Sequence, residues 1–242
     1  MSATPASVAD DVLPELNPAV DRASLAEMFR ARDRVHIPNV LTQASAERLY
    51  RCLAQETKWT LTLNNGTAFL DVENVSPEER VKQGLLAWQR ARSEFQYLFD
   101  NHRLSQSGEP YPDQTHYFAR LVEFLNSPAV LGFVREITGL SEIAWADAQA
   151  TLYRPGDFLN LHDDSRSMHK RRAAYVLNMT PGWRPDWGGV LHFVGPSGHI
   201  EEGYAPVFNA LNLFRVPKPH FVGHVAPYGG FRYSVTGWYH AR

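Results

Sequence analysis

Leu25, Met28 and Phe29 recur at helical spacing, and Ala46, Leu49, Tyr50 and Leu53 repeat that pattern after a short strand-like run, Val35-His36-Ile37-Pro38. Residues 1–22, rich in Ala, Pro and Asp without periodicity, read as a poorly ordered leader. Ser76-Pro77-Glu78-Glu79 predicts a helix start: Ser caps, Pro suits the first helical position, and Glu79 can reach back to complete a capping box. The long helix that follows is expected to carry Val81, Leu85, Trp88, Phe95 and Leu98 as its apolar contacts. Residues 115–138 read as helical again, interrupted near Asn126-Ser127-Pro128, because the residue before a proline is driven out of the helical region.

After Gly139 the texture changes to short runs of β-branched and aromatic residues punctuated by Pro and Gly. Strands are expected at 143–153, 157–164, 173–179, 189–194, 207–215, 221–226 and 231–239. Helices first and many short strands afterwards, without helices between them, predict a mainly β fold with N-terminal helices: a jelly roll supported by a helical layer. With no internal repeat or composition break, residues 23–242 read as one domain, with helical support over about 23–140 and the strand-rich part over about 141–242.

Composition changes this picture little and excludes several classes. The 242 residues carry a formal charge of −2 and are 44% hydrophobic, as in a soluble globular protein. Broad nucleic-acid binding, which needs clustered Lys and Arg, is not expected. Cys52 is the single cysteine, so an intramolecular disulfide and a Cys-rich zinc site are both excluded. The chain has neither a signal-peptide pattern nor a run of about 20 apolar residues, which predicts a cytoplasmic protein without membrane association.

The chemistry concentrates in the strand-rich part. If Phe158-Leu159-Asn160-Leu161-His162-Asp163-Asp164 is a strand, alternation puts Asn160, His162 and Asp164 on one face, which selects Asp164 over Asp163. A His and a carboxylate two residues apart can take adjacent corners of a metal octahedron. His224 is the preferred third ligand, 60 residues after Asp164, with His220 four residues earlier as its rival. Within Phe231-Arg232-Tyr233-Ser234-Val235-Thr236-Gly237-Trp238, alternation gives Arg232, Ser234 and Thr236 a common side. Two His and one carboxylate leave three octahedral positions open, the arrangement of non-haem Fe(II) oxygenases, and Arg232 could grip a second carboxylate through its planar fork.

With these residues in place the chain resembles the prolyl-4-hydroxylase-like branch of the 2-oxoglutarate/Fe(II)-dependent oxygenases. The resemblance runs over about residues 145–240, through Tyr153-Arg154-Pro155-Gly156, His162-x-Asp164, Trp187 to Phe193, Asn209 to Phe214, His224-Val225 and Arg232 to Trp238. It implies a double-stranded β-helix in which His162, Asp164 and His224 hold Fe(II) and Arg232 holds the distal carboxylate of 2-oxoglutarate. Tyr153 and Ser234 are implied as further cosubstrate contacts, and ascorbate as a reductant. The implied reaction consumes O2 and 2-oxoglutarate, releases succinate and CO2, and hydroxylates an unactivated C–H bond. A prolyl residue in a protein or peptide is the favoured substrate; a free amino acid or other small molecule is the alternative.

Other assignments compete at particular residues. The spacing to Arg232 favours His224 over His220, which follows two nearby prolines and reads as a loop residue. His192, between Leu191 and Phe193, either enters the pocket or is structural. Tyr175 reads as core, and Asn178 beside it as a core or cosubstrate contact. A silent jelly-roll binding module and a zinc hydrolase are the alternatives of other classes; hydrolysis has no need of Arg232.

Overall fold

The computed structural model describes residues 12–64, 69–165 and 171–242. The chain begins with α1 (Arg22–Arg32), β1 (Arg34–Pro38) and α2 (Gln43–Arg51), which continues into a π-helical turn (Cys52–Glu56). Next come β2 (Thr60–Asn64), β3 (Phe69–Val72), α3 (Pro77–Arg90), β4 (Tyr97–Ser105), α4 (Tyr117–Leu125) and α5 (Pro128–Thr138). The remainder is strands: β5 (Ile143–Ala146), β6 (Ala148–Tyr153), β7 (Phe158–His162), β8 (Arg171–Asn178), β9 (Leu191–Val194), β10 (Ile200–Tyr204), β11 (Ala210–Arg215), β12 (His220–Val222) and β13 (Arg232–Ala241).

Local chemistry sets the helix ends. Ser76 Oγ accepts from Glu79 N at 3.2 Å with Pro77 in the first turn, as the sequence predicts. The reciprocal half of the box is not made, because the Glu79 carboxylate instead accepts from Gln83 Nε2 at 2.6 Å. Ser127 caps α5 in the same way, and Gly139 ends it at φ 70°, a left-handed position that costs glycine nothing.

The strands form an antiparallel sheet in the order β1-β11-β8-β13-β6-β4-β7-β12-β9-β10, with β2, β3 and β5 attached at its sides. It curls into a nearly closed jelly roll. The two faces of its central strands separate by alternation. On β8, Ala173, Tyr175 and Leu177 pack under the helices, together with Phe118, Phe133, Leu213, Val235 and Tyr239. Ala174 and Val176 face the interior of the roll with Tyr153, Leu191, Phe193, Phe214 and Val222. The helical layer therefore rests on one face of the broad sheet, and the roll encloses the other.

The expected strand at Val35–Pro38 is present as β1, but the N-terminal part departs from the helical reading in three further strands, β2 to β4, within residues 60–105. Phe95 and Leu98 fall beyond α3, and Leu98 belongs to β4. Residues 12–21, expected within the leader, are tied down: Leu16 bridges Leu41, Asn17 N donates to Val40 O at 2.9 Å, and Asp21 caps α1. Residues 1–11 lie outside the described residues. Strand β10, absent from the sequence reading, is Ile-Glu-Glu-Gly-Tyr; charges mask its pattern, and Glu201 and Glu202 bind Arg34 on β1 at 3.2 and 2.6 Å. Among the described residues, no helix is long and apolar enough to cross a membrane.

Candidate metal centre

His162 closes β7, and its partner across the antiparallel ladder is His220, the first residue of β12. That pairing brings the two rings together, with centroids 4.1 Å apart. Asp164 lies beyond the strand at φ 64°, a left-handed position open to aspartate. This turn, rather than strand alternation, directs the carboxylate to the histidines: Oδ1 is 3.4 Å from His162 Nε2 and Oδ2 is 3.7 Å from His220 Nε2. One ligand atom from each of the three residues lies within 4.8 Å of the others. Asp163 points elsewhere, accepting from Ser165 N at 2.9 Å.

The tautomers follow from hydrogen bonding. His162 Nδ1 meets Asn160 O at 3.0 Å, and His220 Nδ1 meets Lys218 O at 2.7 Å. A carbonyl only accepts, so each Nδ1 carries the proton and each Nε2 keeps its lone pair on the side of Asp164. Burial, with the neighbouring His162 ring, pushes His220 down to about 4, which keeps it neutral. Burial works against ionisation of Asp164, but the adjacent His162 and His220 side chains and the Trp238 indole outweigh it and hold the carboxyl below its ordinary value. Trp238 Nε1 donates to Asp164 Oδ2 at 2.8 Å. Arg171 lies over the Trp238 ring, 3.5 Å from its centroid, with Nη1 3.9 Å from Asp164 Oδ1.

His224, the third ligand expected from the sequence, does not join this group. Strand β12 stops at Val222, so the alternation that turns His220 inward is not carried on to position 224. The backbone of His224 instead crosses a glycine pair: its carbonyl accepts from Gly189 N at 3.2 Å, and a Cβ on Gly188 would fall 2.0 Å from His224 O. The ring stacks on Phe158 at 4.5 Å, with Trp88 at 6.3 Å, on the exposed side. Spacing to Arg232 favours His224; strand register with His162 is what places His220.

A second group lies in the same interior. Arg232 opens β13 opposite Tyr153 of β6 and is 1% exposed. Its Nη2 donates to Asn178 Oδ1 at 3.2 Å and its Nη1 to Ser234 Oγ at 3.4 Å, while the Tyr153 ring centroid lies 4.9 Å from the guanidinium carbon. Ser234 Oγ is also bonded to Thr151 Oγ1 at 2.8 Å. Nε has no partner, and no carboxylate of the described residues pairs with this cation. Burial pulls its pKa below the ordinary value. An unpaired buried guanidinium is costly unless an anion completes it, so these residues fit a carboxylate ligand.

An aromatic row joins the two groups. Phe95 lies 5.4 Å from the His162 ring and 5.8 Å from Tyr97, Tyr97 lies 5.5 Å from Phe99, and Phe99 stacks on Tyr153 at 4.9 Å and 14°. The period-two run Phe95-x-Tyr97-x-Phe99 was the available sequence signal, masked by assigning Phe95 to a helix. The residues left open also separate: Tyr175 faces the helices with its hydroxyl donating to Asp147 O at 2.9 Å, Asn178 faces the interior, and His192 points away from buried Leu191 and Phe193 to stack on Phe221 at 4.6 Å.

Residues 148–240 match the model of the 2OG-Fe(II) oxygenase superfamily. Curated relatives include the prolyl 3-hydroxylase sudestada1 of Drosophila melanogaster, 26% identical over 121 residues, and the prolyl 3-hydroxylase OGFOD1 of Xenopus laevis, 31% identical over 115 residues. Each match takes in 45% of this chain and 22% of the relative, so the chain corresponds to under a quarter of those proteins. Among solved structures, a Pseudomonas putida prolyl-4-hydroxylase aligns with TM-score 0.56 and 20% identity over 91% of this chain and 99% of that one. A Trichoplax adhaerens prolyl hydroxylase, solved with a hypoxia inducible factor oxygen degradation domain peptide fragment, aligns with TM-score 0.61 and 16% identity over 91% and 89%. The segment 148–240 is thus similar to the 2OG-Fe(II) oxygenase superfamily, and the fold is similar to that of prolyl hydroxylases of known structure.

Proposed function

We propose that the chain is a 2-oxoglutarate- and Fe(II)-dependent hydroxylase acting on a prolyl residue of a polypeptide, with His162, Asp164 and His220 as iron ligands. The observation that carries this reading is the pairing, in one interior, of a two-histidine, one-carboxylate cluster with a buried guanidinium that has no acidic partner among the described residues. The prolyl substrate is drawn from the named activities of the relatives. When bound, iron and 2-oxoglutarate supply an O2-driven oxidative decarboxylation to succinate and CO2 that places a hydroxyl on a substrate C–H carbon.

The chain's own residues bind and orient. His162 and His220 turn Nε2 toward Asp164, oriented by their backbone-bonded Nδ1 atoms, and Asp164 supplies the single negative ligand, aimed by the Trp238 indole. Arg232 receives the distal carboxylate of 2-oxoglutarate, its fork held by Asn178 and Ser234 and backed by Tyr153. Leu191, Phe193, Val222 and Phe214 give the interior an apolar wall that keeps water from the reacting centre.

The test is anaerobic calorimetry of 2-oxoglutarate binding to the iron-loaded protein, followed by mass spectrometry of proline-containing peptides for a gain of one oxygen. Binding, and oxygen gain that requires both iron and 2-oxoglutarate, is the expected result. A folded protein that binds iron but not 2-oxoglutarate would overturn the reading.

A further inference from the structure

Helix α3 carries its large apolar residues on the wrong side for a core helix. Val81, Leu85 and Trp88, at spacings of four and three, form one stripe, yet they are 64%, 57% and 44% exposed. The face turned inward offers Gly84 and Ala87 instead. The orientation is fixed rather than incidental. Arg80 is bonded to Asp157 at 2.8 and 3.0 Å and to Asp100, both buried carboxylates, and Trp88 Nε1 donates to Gly156 O at 3.1 Å. The helix therefore cannot roll its stripe inward without breaking buried ion pairs.

Two chain connections lead from the stripe toward the candidate metal centre. The Trp88 ring adjoins His224, which stacks on Phe158 at the start of β7, the strand that ends in His162. From its C-terminus α3 leads to Phe95, which is exposed by 37% and lies against the His162 ring; Leu161, beside that histidine, is exposed by 55%. Asn160 locks this connection by accepting from Gln96 N at 2.8 Å and donating to Glu94 O at 3.0 Å. Five of the eleven large exposed apolar side chains among the described residues thus lie on α3 or beside the candidate ligand His162, where scattered single residues would be the ordinary case.

We propose that this path is a docking surface for the apolar flank of a polypeptide substrate, so that the protein selects a proline by residues several positions away from it. This rests on the hydroxylase reading and makes it specific. The seven steps from Val81 to Trp88 rise about 10 Å, the length of about three residues of extended chain. A free amino acid at the metal centre could not reach that far, whereas an extended peptide lies along it. Trp88, with its N–H satisfied inside and its ring half open, has the form of an anchoring side chain in peptide recognition.

The experiment offers the iron-loaded protein a pool of twelve-residue peptides, each with one central proline and random flanks, and reads oxygen gain by mass spectrometry. Hydroxylated peptides should be enriched in apolar residues at a fixed offset on one side of the proline. On a peptide recovered from the pool, Leu85→Ser and Trp88→Ala should each raise KM about tenfold with 2-oxoglutarate affinity retained, and Met28→Ser, an exposed position on α1, should leave KM unchanged. No offset preference, equal turnover of free proline, or an unchanged KM in both α3 variants would overturn the docking surface while 2-oxoglutarate binding keeps the hydroxylase reading alive. Loss of 2-oxoglutarate binding in the unaltered protein would remove both. Sedimentation that shows a dimer dissolved by Leu85→Ser would assign the stripe to a second copy of the chain instead.

Discussion

Arg232→Met separates a binding arginine from a structural one. The guanidinium is buried with no carboxylate partner among the described residues, so its desolvation is only partly offset by two hydrogen bonds of 3.2 and 3.4 Å and the Tyr153 ring. Methionine gives up those bonds and the charge together while nearly filling the space, so unfolding free energy without ligand should move by no more than about 1 kcal/mol, against about 2 to 5 for a truncated core side chain. Ligand response should change far more. Losing the charge partner of a buried carboxylate costs about 2 to 5 kcal/mol, or roughly 30-fold or more in Kd. At 2-oxoglutarate 100 times the parent Kd, linkage stabilises the parent by about 2.7 kcal/mol and a 30-fold weaker variant by about 0.9. For a chain of this size that is a Tm rise of about 5 to 11 °C reduced to about 2 to 4 °C. The assay is thermal unfolding with Mn(II) in place of iron, with and without 2-oxoglutarate. A variant that is strongly destabilised without ligand yet keeps the full 2-oxoglutarate shift would refute the reasoning and make Arg232 structural.

Three further outcomes follow from the same geometry. His220→Ala should weaken Mn(II) binding by more than about 100-fold, the upper end for losing only an outer partner, while His224→Ala should change it less than about twofold; equal effects in a spectroscopic titration would mean that the register argument fails. Trp238→Phe removes the indole donor to Asp164 Oδ2 but keeps the ring, so metal affinity should fall about 10- to 100-fold with the thermal midpoint little changed, and an unaltered affinity would show that the carboxylate is oriented by other groups. Cys52 is buried, and burial pushes its thiol up to about 12, so a thiol reagent at pH 8 should leave the folded protein unlabelled and react with one thiol after denaturation.

The legible parts of the fold were those written in period and punctuation. Ser76-Pro77 and Ser127-Pro128 announced α3 and α5, and the β-branched texture after Gly139 announced the jelly roll. What failed was the assumption that one apolar stripe implies one buried face. The residues assigned as α3's core contacts split between an exposed outer surface and the next strand, because Arg80 and Trp88 tether the helix by polar bonds while small residues make its packing face. β10 was missed for the opposite reason: its strand is held by glutamates that bind Arg34, so no apolar alternation marks it.

The candidate site shows the same division more sharply. Arg232, Ser234 and Trp238 share a face because β13 is an unbroken strand, and there alternation is a sufficient rule. At Asp164 alternation picked the carboxylate that lies beside the two histidines, but by another route, since β7 has already ended and a left-handed turn at φ 64° does the aiming. At His220 and His224 the same rule could not decide, because both have the same parity. Their separation depends on where β12 stops and on which residue of β7 each would face, and strand ends and cross-strand register are set by partners distant in sequence. The linear distance to Arg232 carries no information about either. Pairing His162 with each candidate in turn does: in an antiparallel ladder the residue directly opposite His162 lies within reach of a shared ion, and a residue four positions further along lies about 13 Å away. A third-ligand assignment in such a roll is therefore a statement about register first and spacing second, and the His220→Ala and His224→Ala pair tests that order directly.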